Sequence, residues 1–147
     1  YNGEIIKQAD VNLLSYPLGI ISDNKSMRLN LDYYAPKIYE DGPAMGNAIL
    51  AILSAKLGDK ENAYKYFKAS YLPNKRPPFG VLSESAFSNN PYFCTGAGGL
   101  LQVVLFGFGG LEITDNGIIQ KNPILPSEWK SLTLKGIGPD KKSFVIK

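Results

Sequence analysis

Hydrophobic residues recur at helical spacing in three stretches of the chain. Ile5, Ala9, Leu13 and Tyr16 form one stripe, and Val11, Leu14 and Leu18 form a second on the same segment. That spacing predicts a helix over 5–18. Apolar on two faces, it belongs inside a larger structure. Pro17 ends or kinks it, and Gly19 supports a stop. Met45, Ile49, Ile52 and Leu53 predict a second helix over 44–57, opened by Gly42-Pro43. Gly58 then stands where a left-handed C-terminal residue belongs. Asp59 follows as an N-cap for a third helix over 60–71, with Ala63, Tyr66, Phe67 and Ser70 on one face. The last two helices make a tight antiparallel hairpin.

Between and after these stretches the pattern changes. Residues 23–30 are polar and read as a loop, and 31–39 are interrupted by Pro36. Residues 72–91 contain Pro73, Pro77, Pro78 and Pro91 and have little periodicity, which predicts a long loop. Loops of that length in a compact protein are usually functional or disordered. A helix over 97–107 follows, with Thr95 as its cap. Beyond Gly109-Gly110 the signal is that of strands. Residues 111–114 and 118–120 flank Asp115-Asn116-Gly117, a hairpin signature. Residues 131–135 and 143–147 flank a second turn at Gly138-Pro139-Asp140. The expected division is 1–109, mainly helical, and 110–147, mainly strand, without internal repeats.

Composition narrows the chemistry. The 147 residues suffice for one modest domain, and 44% hydrophobic with 20% charged residues is a globular balance. A net charge of +3 is mild, and the 16 basic residues are scattered apart from pairs such as Lys75-Arg76 and Lys141-Lys142. No basic stripe with a reading element argues for nucleic acid. No apolar run reaches the roughly eighteen residues of a membrane span, Leu100 to Phe108 being too short. No signal peptide is visible, and the chain does not begin with Met. One cysteine excludes an internal disulfide and fits any compartment, the periplasm and the cell exterior included. The absence of histidine excludes a Ser-His-Asp triad, a Cys-His pair and any His-based metal site within this chain. Carboxylates, lysines, tyrosines and backbone amides remain, and no cofactor is expected.

Glu84 stands between Ser83 and Ser85 in the proline-rich loop, just ahead of the glycine-rich run Thr95-Gly96-Ala97-Gly98-Gly99. Taken alone it reads as a solvated carboxylate. The run behind it fails both phosphate-cradle spacings, because no Lys follows and Leu101 takes the last glycine place. It reads instead as small residues allowing close backbone approach. Lys7 and Gln8 are polar on an otherwise apolar helix, and Asp10 would pair with Lys7 one turn away.

The segments Val81-Leu82-Ser83-Glu84, Pro91 to Gln102 and Ile6-Lys7-Gln8-Ala9-Asp10-Val11 together resemble glycoside hydrolase family 65. Asp32-Tyr33-Tyr34, Gly42-Pro43-Ala44-Met45 and Gly107-Phe108-Gly109-Gly110 resemble its scaffold, with Tyr33 or Tyr34 as a lesser candidate for the sugar pocket. The resemblance implies an (α/α)6 barrel followed by a small β domain, acting on α-glucosides by hydrolysis or phosphorolysis. It implies Glu84 as general base, and Lys7 and Gln8 as hydrogen-bonding partners of the transferred glucose. An inverting glycosidase needs two carboxyl groups roughly 6.5–9.5 Å apart with a water between base and sugar. No persuasive acid is present here, and the resemblance places it upstream of Lys7. Four or five helices cannot close such a barrel, so the chain reads as the C-terminal part of a larger enzyme, inactive alone. Its implied partners are a carbohydrate and the rest of the barrel, with a homo-oligomer left open. A disaccharide phosphorylase is the second reading and a non-catalytic helical sugar-binding or interaction module the third. Cys94 falls where the resemblance implies a bulky apolar residue, and reads as a small core residue.

Overall fold

The computed structural model describes residues 2–147. The regular elements are mostly helical, joined by small antiparallel strand pairs. Helix α1 spans Asn24–Tyr34, α2 Ala44–Lys56, α3 Lys60–Ala69 and α4 Cys94–Gln102. Three hairpins accompany them: β1 Lys75–Arg76 with β2 Val81–Leu82, β3 Leu111–Thr114 with β4 Gly117–Gln120, and β5 Leu132–Ile137 with β6 Lys142–Ile146.

Helix α2 is the centre. Ala44, Ala48, Leu50, Ala51, Ile52, Leu53 and Ala55 are all buried, so it is enclosed nearly all round. It packs against α3, α4 and the π-helical turn Val103–Phe108 that extends α4. A Cβ on Gly99 would come within 3.0 Å of Ala48 Cβ, and one on Gly96 within 3.1 Å of Ala44 Cβ. The glycine-rich start of α4 is therefore a packing surface that lets two helices approach closely. Gly58 adopts φ +76° as the residue that turns α2 into α3.

Asp59 caps α3. Its carboxylate accepts from the Asn62 backbone N–H at 3.1 Å, the Asn62 side chain at 2.8 Å and Arg28 Nη1 at 3.3 Å. Burial alone pushes this carboxyl up, but the bonds from Asn62 and Arg28 outweigh it and leave the group below its ordinary value. A lowered folded-state value means stability that is present above the unfolded-state value and lost as pH falls through the folded one. Asp59→Ala is expected to cost about 1 kcal/mol at neutral pH, and Asp59→Asn much less, because Asn keeps the cap. Urea denaturation at neutral and acidic pH checks both, and the Asp–Ala difference should shrink in acid.

Four expectations are corrected. Residues 5–18 do not form one helix. Ile6 makes a parallel bridge with Ile38, its N–H donating to Lys37 O at 2.8 Å and its carbonyl accepting from Tyr39 N at 2.8 Å. Only Val11–Leu14 is helical, as a 3₁₀ turn. The buried positions are Ala9, Asn12 and Ser15, every third residue, which is the 3₁₀ period. Residues 23–30 are not a loop. Asp23 accepts from Ser26 N at 2.8 Å as an N-cap, and Met27 with Leu31 gives α1 its buried edge. Helix α4 starts at Cys94, so Thr95 lies inside it and caps nothing. Cys94 is exposed rather than part of the core.

The strand hairpin β3/β4 pairs Leu111 with Gln120 and Thr114 with Gly117, leaving Asp115-Asn116 as the turn. Hairpin β5/β6 carries an irregularity between Leu134 and Ile137. Ahead of β5, Trp129 inserts into the helical core. Its ring centroid lies 5.1 Å from Phe108 and 5.7 Å from Phe67, while Phe67 and Phe108 are 5.3 Å apart, all edge-to-face.

Candidate active site

Two segments distant in sequence carry the polar groups singled out above. The first holds Lys7. The bridge to Ile38 fixes the preceding residue, and Gly42 lets the segment lie against the entry to α2. A Cβ on Gly42 would fall 2.9 Å from Tyr39 O and 3.4 Å from Lys7 O.

The second segment is the loop after β2, which the β1/β2 pairing starts in a defined register (Lys75 opposite Leu82, Arg76 opposite Val81). Its ends are closed by the Phe93 N–H donating to Leu82 O at 2.8 Å. Ser83 is fully buried. Its N–H donates to Asn74 O at 2.9 Å, and its hydroxyl lies 3.0 Å from Asn74 O and 2.7 Å from Ser85 O. Asn74, 2% exposed, donates from Nδ2 to Ser83 O at 3.1 Å and to Glu84 O at 3.0 Å. Arg76 donates to the carbonyls of Ser85 at 3.1 Å, Ser88 at 3.2 Å, Pro73 at 3.2 Å and Ala86. Residues 83–88 have no helical or strand ladder, and these side chains satisfy the carbonyls of Ser83, Glu84, Ser85, Ala86 and Ser88 instead.

The two segments meet. Lys7 Nζ lies 3.7 Å from Glu84 Oε1, with the side chains 68% and 39% exposed. So open a pair adds little to stability. Its importance is chemical capacity. The ammonium has three donors, and the carboxylate's second oxygen has no partner among the described residues. A polyhydroxyl ligand could be gripped by the one while a water is held by the other. Gln8 is exposed beside Lys7, and its amide makes no hydrogen bond among the described residues. The structure joins Lys7 to Glu84 and ties Gln8 to neither. The expected Asp10–Lys7 pair does not form, because the helix that would have spaced them is replaced by the bridge. Tyr33 and Tyr34 contact each other edge-on at 4.9 Å on α1, and Lys37 Nζ stands 3.6 Å over the Tyr33 ring. Among the described residues no cluster of three His, Cys, Asp or Glu could hold a metal ion, and no helix is long and apolar enough to cross a membrane.

Asn74, Arg76 and Ser83 were not candidates from the sequence. Arg76 read as half of a scattered basic pair. The available signal was the long aperiodic loop itself, whose carbonyls had to be satisfied from somewhere.

Residues 1–74 match the family model described as glycosyl hydrolase family 65 central catalytic domain. The chain belongs to glycoside hydrolase family 65. The matched stretch includes Lys7 and Gln8 and ends ahead of Glu84, whereas two pairwise matches run through 99–100% of the chain. A kojibiose hydrolase of Mucilaginibacter mallensis is 51% identical over 148 residues, covering 100% of this chain and 22% of that protein. A kojibiose hydrolase of Flavobacterium johnsoniae is also 51% identical, over 99% of this chain and 22% of that protein. Among solved structures, a putative kojibiose phosphorylase from human microbiome superimposes with a TM-score of 0.68 at 21% identity, over 89% of this chain and 17% of that one. That likeness is one of fold. The family 65 chain thus spans about a fifth of the length of these curated relatives.

Proposed function

We propose that this chain is the C-terminal part of the catalytic barrel of an inverting α-glucosidase acting on a glucose-containing disaccharide or glycan. In this reading residues 1–109 belong to the (α/α)6 barrel and 110–147 to a small β domain. Glu84 is the general base, and Lys7 and Gln8 hold hydroxyls of the glucose being transferred. The observation that carries the proposal is the 3.7 Å approach of Lys7 to Glu84, from segments far apart in the sequence. The names of the two half-identical relatives support kojibiose as the first substrate to try.

In the reaction, Glu84 removes a proton from water as the water oxygen bonds to the anomeric carbon. The bond from that carbon to the leaving oxygen breaks, and an acid upstream of Lys7 protonates the leaving oxygen. The product glucose is β because attack comes from the face opposite the leaving group. Phosphorolysis at the same place would bring a phosphate anion against the Glu84 carboxylate, a like-charge approach with only Lys7 beside it to offset it. Hydrolysis is favoured on that ground.

Proton NMR of kojibiose turnover by the longer parent enzyme, with and without phosphate, tests this. β-Glucose appearing first, at a rate indifferent to phosphate, is expected. β-Glucose 1-phosphate and a phosphate-dependent rate would replace hydrolase by phosphorylase. The isolated 147-residue chain, which lacks the acid, is expected to release no glucose in the same assay, and turnover by it would contradict the division of labour.

A further inference from the structure

The Asn74 side-chain amide nitrogen and two of the three Arg76 guanidinium nitrogens donate to one loop, 83–88. Asn74 is almost wholly buried, and the two protons of its amide nitrogen have the carbonyls of Ser83 and Glu84 as acceptors. Among the described residues Arg76 has no acidic partner. Its guanidinium spans carbonyls on both sides of the loop, from Pro73 to Ser85, Ala86 and Ser88. An arginine that forgoes a carboxylate for a fan of main-chain oxygens acts as a clamp on backbone shape.

We infer that Asn74 and Arg76 are positioning residues for Glu84, an assignment that rests on the general-base reading. A general base must stay within hydrogen-bond reach of its water. The Glu84 side chain is half-exposed, so packing does not hold it. The main chain beneath it has to, and no strand or helix ladder runs through 83–88. Asn74 supplies the missing restraint at the Glu84 carbonyl itself, and Arg76 ties down three of the four residues after it, Ser85, Ala86 and Ser88. The chemistry at these positions is specific. Asp at 74 would put an acceptor oxygen where the donating Nδ2 faces the two carbonyls, and Lys at 76 would replace a planar fork by a single ammonium.

A double-mutant cycle in the longer parent enzyme separates positioning from general support of the fold. Azide can replace the base-activated water: its terminal nitrogen bonds to the anomeric carbon, the leaving oxygen takes the upstream acid's proton, and no base is needed. Asn74→Ala is expected to lower kcat for hydrolysis about 10²-fold with KM nearly unchanged, as for a misplaced reacting group. Arg76→Lys should do the same to a lesser degree and is the milder variant if Asn74→Ala melts. In the Glu84→Ala background with azide, adding either substitution should change the azide-supported rate by no more than about twofold, because the residue it positions is gone. Equal losses in both backgrounds, or loss of the folded state with both variants, would make the pair scaffold only. Full hydrolysis by Asn74→Ala would also end the assignment. Glu84→Ala hydrolysing at the parental rate would strike the base reading itself, a different outcome on the same plate.

Discussion

Glu84→Gln in the longer parent enzyme should abolish useful hydrolysis while leaving the protein folded. The amide has the size of the carboxylate but cannot accept a proton from water. Removing a positioned general base costs about 10²–10⁴-fold in rate. The loss should fall on kcat, because on the proposed reading the glucose hydroxyls are assigned to Lys7 and Gln8 rather than to the base. Nothing in the loop should collapse. Its shape is held through main-chain groups, by Asn74, Arg76 and the Ser83 hydroxyl, none of which touches the Glu84 carboxylate. Among the described residues the one side-chain partner lost is Lys7, in a pair so exposed that it contributes about 0–1 kcal/mol. Steady-state kinetics on kojibiose with a thermal melt checks both halves. Near-normal kcat would remove Glu84 from the chemistry, and a collapsed melt would make it structural.

The second large effect is on stability. Phe108 is fully buried where the π-helical turn ends, between Phe67 of α3 and Trp129 of the segment leading to β5. It is one of the contacts through which the strand region is seated on the helices, beside Tyr64 and Phe67 against Trp129 and Lys56 against Glu112. Phe108→Ala should cost about 3–5 kcal/mol, because the aromatic rings on either side are too large to close the cavity. Urea denaturation should show that loss. Hydrogen exchange should show it first in β5 and β6, which Trp129 anchors. A cost below about 1 kcal/mol, with protection unchanged in those strands, would mean that the strand region is held by something else.

What the sequence disclosed follows from which forces leave a mark on residue type. The α2–α3 hairpin was legible because Gly58 and Asp59 are local signals with local consequences, and because Met45, Ile49, Ile52 and Leu53 recur at helical spacing along α2. The β3/β4 turn was legible from Asp115-Asn116-Gly117 for the same reason. The segment 5–18 was misread because its conspicuous apolar residues are not the inward ones. Ile5 and Leu18 are exposed, while Ala9, Asn12 and Ser15 turn inward at a period of three. Helix α1 was missed because only Met27 and Leu31 mark its buried edge. At the site, Lys7 and Glu84 were nominated by resemblance, but their proximity is a tertiary fact without a local sign. Asn74 and Arg76 escaped because their partners are carbonyl oxygens, which every residue has.

The sharpest measurement is the configuration of the product when Glu84→Ala of the parent enzyme turns over kojibiose in azide. With Glu84 as the base of an inverting hydrolase, the dead variant regains turnover and the product is β-glucosyl azide. No recovery of turnover, or an α-glucosyl azide, would contradict it.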